Sequence, residues 1–127
     1  MLIELLPRIW IADKVHSKSK IKNIIILEEK LKHIYNNSNF IERQHSYSLY
    51  LEKMIRFLYY YTVLNVKPII IVDSNIHTRQ DAYTLVIAYM SFYTKENWKQ
   101  VYRHIQAKTI PFQLSSFSMG ALHLLLN

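Results

Sequence analysis

Hydrophobic residues follow two patterns along the chain, short unbroken runs and longer runs with helical spacing. Residues 2–6 and 8–12 are apolar runs separated by Pro7, a pattern that favours two strands joined by a tight connection. Residues 24–27 form a third run, and residues 69–72 form the most hydrophobic one. A continuous β-branched run is typical of a strand covered on both faces, so residues 69–72 predict the central strand of a sheet.

Helical spacing accounts for most of the remaining chain. Apolar side chains recur on one face across residues 46–64, and a second helix is predicted over residues 79–93. Thr94 is the expected N-cap of a third helix, with Glu96 in its first turn. A last amphipathic segment covers residues 112–126, after Pro111.

The segment at residues 33–42 is less regular. We interpret it as a further strand interrupted by turn-forming residues at 36–39. The predicted order is then strands, a helix, the central strand, a loop and three helices, without repeats or linkers. This order predicts one α/β domain over residues 1–127, with a central, mostly parallel sheet flanked by helices.

Charge suggests one candidate surface. The net charge is +7, and lysines are concentrated in residues 14–32. A basic face of this kind attracts nucleic acid, anionic lipid or an acidic protein surface, and Lys18, Lys20 and Lys22 are its candidate contacts. The simpler interpretation is a solvated lysine face.

Composition excludes several kinds of chemistry. The chain contains no cysteine, which removes disulfides, thiolate catalysis and cysteine-based zinc sites and fits an intracellular, cytoplasmic protein. The six histidines lack the spacing of metal-binding motifs, so no metal or cofactor is expected. No apolar stretch approaches the ~20 residues that a membrane span needs. The first residues read as a strand and not as a signal peptide.

Residues 73–80 form the candidate site. They leave the predicted central strand and enter a helix, which is where α/β folds bind anions because backbone N–H groups and the helix dipole converge there. Asp73 stands at the end of the strand and Arg79 follows six residues later. This is the frame of the Cys-x5-Arg loop of cysteine-dependent phosphatases, in which a thiolate attacks phosphorus and the arginine binds two phosphate oxygens.

With this loop as its centre, the chain resembles the dual-specificity phosphatase family over nearly its whole length. The resemblance is carried by Ile9–Ala12, residues 23–27, residues 67–73 before the loop, Arg79, residues 85–90 behind the loop, Trp98–Lys108 followed by Pro111, and residues 112–114. It implies the fold of that family and a loop that once bound phosphate.

The positions at which the chain departs from the family are those of the family's catalytic residues and loop. Val72 replaces the family's histidine, Asp73 its nucleophilic cysteine, Ile76 its mid-loop glycine, and Gln80 its serine or threonine after the arginine. Ser74, Asn75, His77 and Thr78 complete the degenerate loop, and Glu42 is the nearest acid to the expected general-acid position. The resemblance therefore implies a catalytically inactive member, a pseudophosphatase that is not an enzyme.

The carboxylate of Asp73 is expected to occupy the place in the loop where a phosphate would bind. It would accept loop N–H groups and pair with Arg79, which then acts as a structural clamp. Ile76 tolerates a positive φ poorly, so it should reshape the loop and fill part of the pocket, leaving His77 and Thr78 to face solvent. A retained phosphate-reading function is the minor alternative.

Other interpretations of these residues are open. An aspartate after an apolar strand is also the nucleophile of haloacid-dehalogenase-like phosphatases, but their second aspartate corresponds here to Asn75. Tyr59, Tyr60 and Tyr61 occupy consecutive helical positions, so at least one should be exposed, and tyrosine is enriched at interface anchors. The apolar segment at residues 114–126 is either core or a homodimer surface.

Two functions from different classes follow. The first is a binding or scaffold module that occupies a protein partner without turnover. The alternative is a nucleic-acid-associated protein that uses the lysine-rich face.

Overall fold

The computed structural model describes residues 2–16, 20–36, 39–109 and 111–126. In chain order the elements are β1 (Leu2–Leu6), β2 (Ile9–Ala12), β3 (Asn23–Ile26), α1 (Leu27–Tyr35), α2 (Phe40–Tyr59), a π-helical turn (Tyr60–Leu64), β4 (Ile69–Val72), α3 (Asp81–Thr94), α4 (Trp98–Lys108) and α5 (Ser116–Leu126). The α/β class is confirmed.

The four strands form a small mixed sheet in the order β1-β2-β4-β3. β1 pairs with β2 antiparallel, whereas β4 pairs in parallel with β2 and β3. Ile69 lies opposite Ile9 on one side and opposite Asn23 on the other. All four residues of β4 are buried, which confirms the predicted central strand.

The two faces of the sheet are covered differently. Ile69 and Ile71 belong to the main core, to which all five α-helices contribute. On the other face, Ile70 and Val72 form a smaller cluster with Ala12, and partly buried side chains such as Trp10 pack against it. Helices therefore flank one face of the sheet, and the prediction of flanking helices is correct for that face only. The other face lacks a helix because the short connection between β2 and β3 forms none in its described part.

The predicted strand at residues 33–42 is wrong. The chain is helical up to Tyr35 and again from Phe40, so the described part of this segment belongs to two helices and not to a strand. The side chain of Asn39 caps α2 by accepting a hydrogen bond from the N–H of Glu42, at 3.1 Å. This cap begins α2 earlier than the predicted start at residue 46.

α2 continues into the π-helical turn. It buries only part of the apolar face that the sequence predicts over residues 46–64. Leu51, Leu58 and Thr62 are buried, whereas Leu49 and Tyr59 are exposed. The hydroxyl of Thr62 donates to the carbonyl of Leu58 at 2.7 Å, inside the widened turn. The buried stripe is therefore narrower than the periodicity predicted.

The predicted start of the third helix is also wrong. Thr94 is the last residue of α3, and Lys95 ends that helix in the left-handed region, with φ 65°. Asn97 caps α4 instead, and its side chain accepts from the N–H of Lys99 at 2.9 Å. Glu96 thus precedes α4 and lies outside its first turn.

Within the described ranges, no helix has the length and apolar character needed to cross a membrane.

Candidate functional site

Asp73 lies directly after β4 and is 1% exposed. One carboxylate oxygen accepts from the N–H of Asn75 at 2.9 Å, and the other accepts from the N–H of Ala82 at 3.1 Å. Burial raises the pKa of the Asp73 carboxyl above its usual range, although these two hydrogen bonds oppose the shift. Asp73 therefore connects the loop to the first turn of α3, as the sequence predicted for the loop N–H groups.

Other donors of the loop are also satisfied within the chain. The N–H of Ser74 donates to the Glu28 carboxylate at 2.8 Å, and hydrogen bonding from Ser74 lowers the pKa of Glu28. The carbonyl of Asn75 accepts from the N–H groups of residues 78–80, at 3.0, 2.8 and 3.2 Å in chain order. The N–H of Ile76 donates to the carbonyl of Asp73 at 3.2 Å. Donors that an anion site would aim at its ligand are thus engaged internally.

The predicted ion pair between Arg79 and Asp73 is wrong. Nε of Arg79 lies 3.8 Å from a carboxylate oxygen of Asp81, two residues later in α3. The guanidinium carbon lies 4.4 Å from the ring centroid of Tyr35 in α1, a cation–π arrangement. The position of Arg79 beside Asp81 and over the ring of Tyr35 places its guanidinium group against the start of α3. The side chain of Arg79 is 41% exposed, and its Nε makes no hydrogen bond within the described part of the chain, so its role as a structural clamp stays a prediction.

Asp81 is the centre of a buried network that the sequence analysis missed. One of its oxygens accepts from the Tyr35 hydroxyl at 2.6 Å and from the Tyr47 hydroxyl at 2.8 Å. Burial, and then the charge of Asp81, raise the pKa values of both tyrosines, so each hydroxyl stays protonated and donates. Asp81 is 2% exposed and lies in the first turn of α3, where the helix dipole favours a negative charge.

The remaining loop residues anchor the loop or face solvent. Ile76 is 2% exposed and belongs to the main core. The positive φ falls at Gln80, at 59°, and Ile76 is not among the described residues with positive φ. His77 and Thr78 are exposed, as predicted. The loop therefore turns one side chain, that of Ile76, into the main core.

Those candidate contact residues that the structure describes lie away from the loop. Lys20 and Lys22 are exposed before β3, whereas Lys18 lies outside the described residues. Tyr59 and Tyr60 are exposed, and Tyr61 is half-buried beside the ring of Tyr60, with centroids 5.5 Å apart. Because β3 and β4 are parallel, these lysines and the π-helical turn precede the amino ends of the strands, and residues 73–80 follow the carboxyl end of β4.

The segment at residues 114–126 is mostly core. Leu114 and Leu122 are buried, and Leu124 is 52% exposed. The single glycine, Gly120, lies against the side chain of Gln44 in α2, and Gln44 donates to the carbonyl of Phe117 at 3.1 Å. Close packing of α5 on α2 therefore accounts for much of its apolar character.

In the part of the chain that the structure describes, no cluster of three metal-ligating side chains occurs. Comparison of the chain with protein-family models, with curated proteins and with solved structures finds no match.

Replacing Tyr47 by Phe should destabilise the fold. The change removes one of the two tyrosine hydroxyls that donate to the buried Asp81 carboxylate, and the expected loss is about 1–3 kcal/mol in the free energy of unfolding. Urea unfolding measures it. The matched change Tyr60→Phe, at an exposed hydroxyl, should stay within about 0.5 kcal/mol. Equal losses for the two variants would contradict the network.

The substitutions Asp73→Asn and Glu28→Gln should change the pH dependence of the free energy of unfolding in opposite directions. Asp73 has a raised pKa, so its contribution to stability falls as pH rises from its ordinary value of 3.8 towards the raised one. Glu28 has a lowered pKa, so its contribution is present above its ordinary value of 4.5 and is lost as pH falls through the lowered one.

Urea unfolding of the wild-type chain and both variants, across pH 3 to 7, tests this pair. As pH rises, Asp73→Asn should gain stability relative to the wild-type chain, and Glu28→Gln should lose it. Profiles of both variants that run parallel to that of the wild-type chain would mean that neither carboxylate is held as described.

Proposed function

We propose that this chain is a catalytically inactive domain of the dual-specificity phosphatase type that acts as a protein-binding or scaffold module. The observation that carries the proposal is that a side chain of the protein itself occupies the loop. The Asp73 carboxylate, at the position of the family's nucleophile, accepts the N–H groups of Asn75 and Ala82. A phosphate at this position would have to displace a buried side chain of the same protein.

Electrostatics also disfavours a phosphorylated substrate at the loop. Two unit negative charges ~4 Å apart repel by about 4 kcal/mol at an effective dielectric constant near 20. Asp73 and Glu28 both contact the loop backbone, and Arg79 is engaged by Asp81 and Tyr35. The carboxylates therefore act as built-in substitutes for the anion.

The arrangement of the elements supports the family resemblance as a hypothesis. The segments that carry it include the strands Ile9–Ala12 and Asn23–Ile26, the central strand before the loop, and the helix behind the loop. Each of these segments is a strand or a helix of the type that the resemblance implies. The absence of cysteine leaves no thiolate to act as nucleophile.

An NMR titration with inorganic phosphate, tungstate and a phosphorylated peptide tests the occupied loop. The amides of residues 73–82 should show no saturable shifts in the wild-type chain. In the double variant Asp73→Ala with Glu28→Ala, freed N–H groups should produce anion-dependent shifts. The unphosphorylated peptide is the matched control.

Saturable wild-type shifts that are lost in Arg79→Ala would assign a phosphate-reading function to the loop and overturn the proposal. Turnover of the phosphorylated peptide that is lost in Asp73→Asn would overturn catalytic inactivity.

A nucleic-acid-associated function is the second candidate, favoured by the exposure of the lysine-rich region. The described lysines in residues 14–32 are all exposed: Lys14, Lys20, Lys22, Lys30 and Lys32. Binding through them should weaken with salt at a log–log slope of about −0.9 for each phosphate neutralised on duplex DNA. Replacing Lys18, Lys20 and Lys22 by Glu should abolish it in fluorescence anisotropy, and unchanged affinity would eliminate this candidate.

A further inference from the structure

Three adjoining grooves meet at Arg56 on α2, and we call their combined lining the Arg56 surface. The first groove runs between α2 and α5 and includes Leu49 and Leu124. The second follows α2 to Tyr60 and Tyr61. The third lies between α2, the π-helical turn and the end of α3, and Arg56 lines all three. The grooves therefore form one continuous surface made of helices.

The Arg56 surface is rich in exposed apolar side chains. Six of them are more than half exposed: Leu49, Tyr60, Leu64, Phe92, Tyr93 and Leu124. Monomeric proteins expose few contiguous patches of this kind, and the larger patches mark sites of interaction. Tyrosine in particular is enriched among the residues that dominate binding energy.

The charge of the Arg56 surface is positive. Lys53, Arg56 and Lys95 are among its lining residues, and Glu52 is the one acidic side chain among the described residues that line it. Glu52 is already paired with Arg56, at 3.2 Å. The ammonium of Lys95 lies 4.8 Å from the ring centroid of Phe92, so one of these cations lies directly beside an exposed aromatic ring. The complementary ligand is acidic and apolar.

A second copy of this chain fits the surface poorly. Each copy has a net charge of +7, and a symmetric pair would bring the same cationic patch of both copies together. Juxtaposed like charges oppose such a contact. A partner strand also fits poorly, because strand addition needs an exposed sheet edge and this surface is built from helices.

We propose that the Arg56 surface binds an acidic amphipathic helix of a partner protein. The apolar face of that helix packs on Tyr60, Phe92 and Tyr93, and its flanking carboxylates meet Arg56 and Lys95. This inference rests on the proposed binding-module function, for which it names the surface and the class of partner.

Three synthetic helical peptides test the inference. The first carries leucines on one face and glutamates elsewhere, the second replaces every glutamate by lysine, and the third replaces the leucines by serine. Fluorescence anisotropy gives the Kd, and NMR maps the site. The first peptide should bind and shift amides of residues 49–64 and 92–95, and the other two should bind at least about tenfold more weakly.

Charge reversal on the protein provides the matched test. Arg56→Glu combined with Lys95→Glu should weaken binding of the glutamate peptide by about tenfold or more and strengthen binding of the lysine peptide. Tyr60→Ser should weaken binding of the glutamate peptide, but the protein should still bind the glutamate peptide more tightly than the lysine peptide. Lys22→Glu, an exposed lysine outside the surface, should change the Kd by less than about twofold.

Several results would overturn the inference. Equal binding of the glutamate and lysine peptides, no binding of the glutamate peptide, or shifts confined to other residues would each do so. A dimer detected by light scattering and dissolved by Tyr60→Ser would assign the surface to a second copy. The proposed function fails separately, through phosphate binding or turnover at residues 73–82, so the two failures are distinguishable.

Discussion

A carboxylate enclosed at the end of a buried strand must be hydrogen-bonded, and the loop after β4 is arranged around this requirement. Asp73 obtains one donor from the loop and one from the first turn of α3. These two bonds fix how the chain turns from β4 into α3, with Gln80 taking the left-handed conformation between them. The positions of Ile76 and Arg79 follow from the same turn.

The parts of the fold that were predictable from the sequence have strong local signals. The β-branched run at residues 69–72 shows no helical spacing, and the central strand has the bounds that this run predicts. The spacing of Leu27, Leu31 and Tyr35 is helical and indicates α1, which brings Glu28 and Tyr35 towards the loop. The turn-forming residues after them favour an interrupted strand instead, and this local signal is misleading.

The candidate site was predictable only in part, because its contacts depend on tertiary packing. That Asp73 accepts backbone N–H groups follows from its place between a strand and a helix. The choice of Arg79 between Asp73 and Asp81 depends on where α1 and α2 bring Tyr35 and Tyr47, and this is not visible in local spacing. Similarly, Thr94 and Asn97 are both good capping residues, and the left-handed conformation of Lys95 ends α3 before Asn97 caps α4.

The strand order has a consequence for synthesis on the ribosome. β2 and β3 do not pair with each other, and each pairs with β4, which follows both of them in the chain. Until Ile69–Val72 leaves the ribosome, the hydrogen-bonding edges of β2 and β3 that will meet it have no native partner, and unpaired edges invite association. The nascent chain therefore passes through a stage in which the residues of β1, β2 and β3 have been synthesised and the strand that joins β2 to β3 has not.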